Sequence, residues 1–66
     1  MIQRFAFPGS EALIGATYDP ETEQLSVTFA SGSAYSYSGV PADVVEQFRE
    51  ALSAGRFWRN NIKDQY

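Results

Sequence analysis

The chain has 66 residues, with no cysteine and no histidine. A domain of this size buries roughly 60% of the surface that its unfolded chain exposes, so we expect one small hydrophobic core. Disulfides are excluded, and the usual ligands of zinc, haem and iron–sulfur clusters are absent, so we predict no metal and no cofactor. Aromatic residues make up 15% of the chain, and we expect them to supply much of the core.

The formal net charge is −3, and the charges are unevenly distributed. Residues 1–48 hold one basic and six acidic side chains, whereas residues 49–66 hold four basic and two acidic ones. This balance disfavours general nucleic-acid binding, which requires clustered cations, but it allows a local basic patch. No apolar run reaches the ~18 residues of a membrane span, and residues 1–8 are too short and polar for a secretory signal. We therefore predict a cytoplasmic protein with no membrane partner.

Three strands are predicted in the first half of the chain. Residues 12–18 are apolar and partly β-branched, and the Asp-Pro-Glu-Thr run at 19–22 fits a type I turn. Apolar and polar residues alternate in 25–29 and again in 34–38, which is typical of half-buried strands. The pattern predicts a three-stranded antiparallel meander over residues 12–38. Residues 2–7 either add an edge strand or lie along the sheet.

The register of the second hairpin decides the role of Tyr35 and Tyr37. A two-residue loop at 31–32 would place both tyrosines on the face opposite the apolar residues of 25–29. A three-residue loop at 30–32, with glycine last in a left-handed bulge, would pair Val27 with Tyr35 and unite all the large side chains. We favour the second, since a one-residue slip moves every side chain to the other face.

Two helices are predicted in the second half. Pro41 suits the first position of a helix over residues 41–53, whose apolar residues recur at helical spacing. Gly55 is expected to end this helix in a left-handed conformation. A short amphipathic helix over residues 56–63 follows. The prediction is an α+β fold in one domain, residues 1–66, with the helices packed on one face of the sheet.

Catalysis is not expected. Histidine, the usual general base near neutral pH, and cysteine nucleophiles are absent. The sequence also contains no glycine-rich phosphate loop and no dinucleotide fingerprint. We predict that the chain is not an enzyme.

Five side chains are candidates for nucleic-acid contact. At 100° per residue, Arg56, Arg59 and Lys63 cluster on one side of the second helix, where they would neutralise phosphates or form an ordinary solvated face. Tyr35 and Tyr37 would stack bases if exposed on the sheet, as in several RNA-binding modules, or would pack beneath the helix. The sequence leaves both alternatives open.

The chain resembles the KTSC domain, a module named for its occurrence at the C-terminus of some lysyl-tRNA synthetases and found also in small bacterial and phage proteins. The resemblance runs from about residue 10 onward. It rests on the order and spacing of Tyr18-Asp19-Pro20, Leu25-x-Val27-x-Phe29, Gly32, Tyr35-x-Tyr37, Val40-Pro41, Val44, Gly55-Arg56-Phe57-Trp58, Asn61-Ile62 and Tyr66. It implies no defined activity, although the synthetase context suggests RNA.

These features predict a small, non-catalytic recognition module. Protein interaction or self-association is favoured, because the meander leaves sheet edges that another chain can pair with and only one basic residue lies in residues 1–48. An RNA- or tRNA-binding accessory module is the alternative.

Overall fold

The fold combines one antiparallel sheet with two short helices, and the predicted α+β class is confirmed. The structure is a computed structural model that describes all 66 residues. The sheet has the order β1-β2-β3-β4, with strands β1 (Gln3–Ala6), β2 (Leu13–Asp19), β3 (Gln24–Phe29) and β4 (Ala34–Tyr37).

Helix α1 (Ala42–Glu50) follows the sheet, and α2 (Ala54–Phe57) continues directly into a π-helical turn, Trp58–Ile62. We call α2 and this turn together the C-terminal helical segment. The longest helix has nine residues, and none has the length and apolar character needed to cross a membrane.

The prediction of three strands is wrong, because residues 3–6 form a fourth. This edge strand, β1, pairs antiparallel with β2, with Phe5 opposite Ala16. The rings of Phe5 and Phe7 meet edge to face at 5.6 Å, and Phe5 also contacts the ring of Phe48 at 6.1 Å. Tertiary packing of these rings fixes a strand whose own four residues carry little β signal.

The three-residue hairpin loop is confirmed. Val27 pairs with Tyr35 and Leu25 with Tyr37. Gly32, last in the loop, has a φ of +97°, which glycine adopts without strain. Both tyrosines therefore project from the sheet face that carries the buried side chains of β3.

The core is small and centred on Phe48. The ring of Phe48 lies 4.8 Å from that of Phe7 and 5.7 Å from that of Phe57, and so joins the N-terminal segment to both helices. Eleven residues are buried: Phe7, Leu13, Ala16, Tyr18, Leu25, Val27, Val40, Val45, Phe48, Ala54 and Ile62. No buried side-chain nitrogen or oxygen lacks a hydrogen-bond partner.

The predicted helix boundaries need correction. Helix α1 ends at Glu50 rather than at residue 53, and Gly55 is not a left-handed stop but lies inside α2. Ser53 explains the change, because its Oγ accepts a hydrogen bond from the Arg56 N–H at 3.3 Å and caps a new helix. As a result Leu52 leaves the apolar stripe and is fully exposed.

Val40 connects the sheet to α1 through both of its backbone polar groups. The Tyr18 hydroxyl donates to the Val40 carbonyl at 2.7 Å, and the Val40 N–H donates to the Glu23 carbonyl at 3.0 Å. Burial of the Tyr18 hydroxyl raises its pKa, and the nearby carboxylates of Glu23, Asp19 and Asp43 raise it further. The start of α1 is thereby fixed against the end of β2.

Candidate functional site

The five predicted contact residues do not form a single site. Tyr35, Tyr37 and Lys63 line one groove, whereas Arg56 and Arg59 line another. The cationic stripe predicted on one side of the last helix is divided between the two. The sequence reasoning missed the π-helical turn at Trp58–Ile62 and the earlier start of α2 at Ala54.

The first groove, which we call the aromatic groove, has a volume of about 390 Å³. Its lining residues are Tyr35, Tyr37, Trp58, Lys63, Asp64 and Tyr66. Tyr35 is 53% exposed and Tyr66 is 42% exposed, whereas Tyr37 and Trp58 are partly buried. Sequence reasoning missed the contribution of the chain end, because Tyr66 follows the last helical turn and belongs to no periodic pattern.

Hydrogen bonding and ring packing hold the base of the aromatic groove. The Trp58 indole N–H donates to Tyr37 Oη at 2.9 Å. The ring of Phe29 lies edge-on between Trp58, at 4.8 Å, and Tyr35, at 5.5 Å. The two tyrosines therefore differ in burial. Tyr37 is partly buried and hydrogen-bonded to Trp58, whereas Tyr35 is exposed and its ring packs against that of Phe29.

The charges of the aromatic groove are balanced. Lys63 places its Nζ 5.6 Å from the centre of the Trp58 ring, within cation–π range, and Asp64 lines the same groove. The groove offers aromatic faces, hydroxyl groups and one charge of each sign. Such a surface suits an uncharged or mixed segment better than a polyanion.

The outer edge of β4 lies beside this groove and has no neighbouring strand. The Phe29 N–H donates to the Ser33 carbonyl at 2.8 Å. Since hydrogen-bonded and non-bonded pairs alternate along an antiparallel ladder, the backbone groups of Ala34 and Ser36 face outward. Strand β4 has no proline and no charged residue to block pairing.

The second groove, which we call the arginine groove, has a volume of about 590 Å³. Residues 6–12 form one wall, and residues 51–56 with Arg49 and Arg59 form the other. Arg49 packs its guanidinium over the Phe5 ring, with Cζ 5.4 Å from the ring centre, and lies 3.8 Å from Glu46. Arg56 and Arg59 are exposed and have no carboxylate within 4.0 Å.

Neither groove is arranged to hold a metal ion. No group of three or more acidic residues is placed to hold a metal ion, and Asp64 and Glu11 lie in different grooves. The aromatic groove offers stacking, apolar contact and hydrogen bonding, and the arginine groove offers guanidinium groups for ionic and hydrogen-bonded contact.

Comparison with known proteins places this arrangement in a family. The family model of the KTSC domain matches residues 9–66. A KTSC domain protein from Yersinia pestis has a crystal structure that superposes with a TM-score of 0.90 at 32% identity, covering 98% of this chain and 90% of that one. The chain therefore belongs to the KTSC domain family.

Two relatives show the settings in which similar chains occur. An uncharacterised protein of Stutzerimonas stutzeri is 42% identical over 57 residues, covering 86% of this chain and 80% of that protein. A lysine–tRNA ligase of Nostoc sp. is 41% identical over 49 residues, which cover 74% of this chain but only 9% of the ligase. Similar sequences thus occur both as small proteins and as a minor part of a large enzyme.

Proposed function

We propose that this chain is a non-catalytic recognition module that binds an extended protein segment along β4 and the aromatic groove. The half-exposed ring of Tyr35, held against Phe29 beside an open strand edge, is the observation that carries the proposal. An aromatic ring held at the surface beside an open strand edge offers an incoming chain both backbone partners and a contact face.

Strand addition explains how the two features would act together. The outward-facing backbone groups of Ala34 and Ser36 would pair with the incoming segment, and every second side chain of that segment would point toward the groove. Tyrosine and tryptophan supply large contact areas with few rotatable bonds. Because Trp58 is already fixed by Tyr37, little side-chain entropy would be lost on binding.

Short peptides selected from a random-sequence display library test this proposal. We expect amide chemical-shift changes at Ala34 and Ser36 and a shift of the Trp58 indole signal. Tyr35→Ala should weaken binding about tenfold, which corresponds to about 1.4 kcal/mol. Ile14→Ala is the matched control, since Ile14 is 55% exposed but lies outside the groove, and it should leave the affinity unchanged.

Ser36→Pro separates strand addition from simple contact with the groove. Proline removes an N–H that faces outward and leaves the ladder with β3 intact. The variant should fold, as judged by its urea midpoint, and should lose peptide binding. Peptides that bind Ser36→Pro and Tyr35→Ala as tightly as the parent chain would contradict the proposal.

Self-association is the homotypic form of the same interaction. Two copies paired through β4 would form one continuous antiparallel sheet. Sedimentation of the parent chain over a range of concentrations would then reveal a dimer, and Ser36→Pro would be monomeric. A dimer that survives Ser36→Pro would assign the contact to another surface.

RNA or tRNA contact is the second candidate function, using Arg56, Arg59 and Lys63 with Tyr35 and Tyr37. It is supported by the freedom of Arg56 and Arg59 from acidic partners and by the lysine–tRNA ligase among the relatives. Titration with tRNA should shift the signals of these residues at low salt and not at high salt, because phosphate contacts release counterions. Absence of shifts at low salt would dispose of this candidate.

A further inference from the structure

We propose that the arginine groove is a binding site for a terminal phosphate group, carried by a nucleotide or by the end of an RNA strand. This site is separate from the aromatic groove and does not depend on peptide recognition. Its basis is the positive charge of the groove, the hydrogen-bonded walls and the small side chains between them.

Charge is the first observation. The chain is acidic overall, yet three of its five basic side chains line this one groove, namely Arg49, Arg56 and Arg59. Glu11 is the only acidic residue in the lining. The groove therefore carries a local positive charge on a chain with a formal net charge of −3. Such a local excess attracts an anion that the rest of the surface repels.

The positions of the guanidinium groups are the second observation. Arg56 and Arg59 lie three residues apart on the C-terminal helical segment, so they are neighbours on its surface. Neither is neutralised by a carboxylate within 4.0 Å. A guanidinium group pairs with a phosphate through two parallel hydrogen bonds, and two such groups match the double charge of a phosphate monoester.

The walls of the groove are fixed in advance. In one wall, Ser10 Oγ accepts the N–H of Leu13 at 3.1 Å and orders the loop after β1. In the other, Ser53 Oγ accepts the N–H of Arg56 at 3.3 Å, and the Ser53 carbonyl accepts the N–H of Phe57 at 3.0 Å. A preformed site loses little conformational freedom when it binds a small ligand.

The floor of the groove is built from small residues. Apart from the arginines, most of the lining residues are alanine, glycine, serine or proline. The exceptions are Phe7, Glu11 and the exposed Leu52. A phosphate group can therefore approach the backbone closely. Phe7, the one aromatic residue in the lining, is buried and offers no open ring face, so the groove would hold the phosphate rather than a base.

Heteronuclear NMR titration at low ionic strength tests the site. The probes are inorganic pyrophosphate, adenosine 5′-monophosphate and, as the uncharged comparison, adenosine. Both phosphate-bearing probes should shift the signals of Gly9, Arg56 and Arg59, and adenosine should not. Adenosine acting as strongly as its monophosphate, or shifts spread over the whole chain, would overturn the proposal.

Charge-changing variants give effects of opposite sign. Arg56→Gln and Arg59→Gln should each lower the affinity for adenosine 5′-monophosphate about tenfold. Glu11→Gln should raise that affinity severalfold, because it removes the only carboxylate in the lining. Arg4→Gln is the matched control, since Arg4 lies on β1 outside the groove. An equal loss in Arg4→Gln would show a non-specific response to charge and would overturn the site.

A short oligoribonucleotide with and without a 5′-phosphate distinguishes the two sources of the phosphate. If the phosphorylated strand binds more tightly than adenosine 5′-monophosphate, the site is assigned to RNA ends. If the phosphorylated strand and the monophosphate bind with equal affinity, the site is assigned to free nucleotides. Binding of both strands with the same affinity would contradict recognition of a terminal phosphate. Failure here would leave peptide binding by β4 untouched, because that interaction is measured on other residues.

Discussion

The indole N–H of Trp58 donates a hydrogen bond to the hydroxyl oxygen of Tyr37 at 2.9 Å, although the two residues are 21 positions apart in the chain. Through this bond the C-terminal helical segment is attached to the edge strand β4. The bond also orients the indole that lines the aromatic groove. One contact thus serves both the fold and the candidate binding surface.

Tyr37→Phe should lower the free energy of unfolding by about 1 kcal/mol, because it leaves the partly buried Trp58 N–H without an acceptor. Urea denaturation followed by tryptophan fluorescence measures the change. In a double-mutant cycle with Trp58→Phe, the two losses should sum to more than the loss in the double variant. Strictly additive losses would mean that the bond contributes nothing to stability.

Tyr18 should make stability sensitive to alkaline pH. Its pKa is raised by burial and by nearby carboxylates, so the folded chain holds this proton more tightly than the unfolded chain. The resulting stability is complete below the unfolded pKa of about 10 and is lost as pH rises through the higher pKa of the folded state.

Urea midpoints measured between pH 7 and pH 11 test this expectation. The parent chain should lose more stability above pH 10 than Tyr18→Phe does, since the variant has no proton to release at this position. At neutral pH the variant should be less stable by about 1 kcal/mol, because it lacks the hydrogen bond to Val40. Parallel pH profiles would contradict the assignment.

Two glycines should respond in opposite directions to alanine. A Cβ at Gly15 would lie 2.7 Å from the Phe5 carbonyl oxygen, so Gly15→Ala should push β1 away from β2 and cost about 1–3 kcal/mol. A Cβ at Gly55 would meet Ala12 at 3.8 Å, an ordinary contact. Gly55→Ala should therefore stabilise α2 by about 0.5–1 kcal/mol. Thermal unfolding of both variants and of the parent chain measures the two changes in melting temperature. Changes of the same sign in both variants would contradict this prediction.

Phe48→Ala should be the most damaging of the core substitutions. Its ring is fully buried and contacts the rings of Phe5, Phe7 and Phe57. Truncation of a buried phenylalanine costs about 3–5 kcal/mol, which is comparable with the whole stability of a small domain. Phe29→Ala is the comparison: it is only partly buried, and its urea midpoint should fall less.

Alternation and turn chemistry made the sheet predictable. The pairing of Val27 with Tyr35 followed from the position of Gly32 in the loop, and the structure has that register. Strand β1 was not decided by such local signals, because its place depends on the packing of Phe5 against residues distant in sequence. Likewise, Gly55 is a typical helix stop, but a serine cap two residues earlier restarts the helix.

The candidate site was predictable only in its parts. Sequence spacing identified the exposed Arg56, Arg59 and Lys63, but Lys63 lines a different groove from the arginines. The presence of Arg49 in the same groove as Arg56 and Arg59 was not predicted, because it depends on how the segment between α1 and α2 runs, which no periodicity encodes. The aromatic groove and the arginine groove are each lined by residues from several elements, so their composition depends on contacts between elements.

Strand β1 has a practical consequence for how the domain is delimited. The match to the family begins at residue 9, yet Phe5 and Phe7 lie before that point and contact the Phe48 ring. A chain that began at residue 9 would lack β1, so it would expose the edge of β2 and leave a cavity beside the Phe48 ring. We therefore expect the smallest unit that folds independently to be longer than the segment that the family model matches.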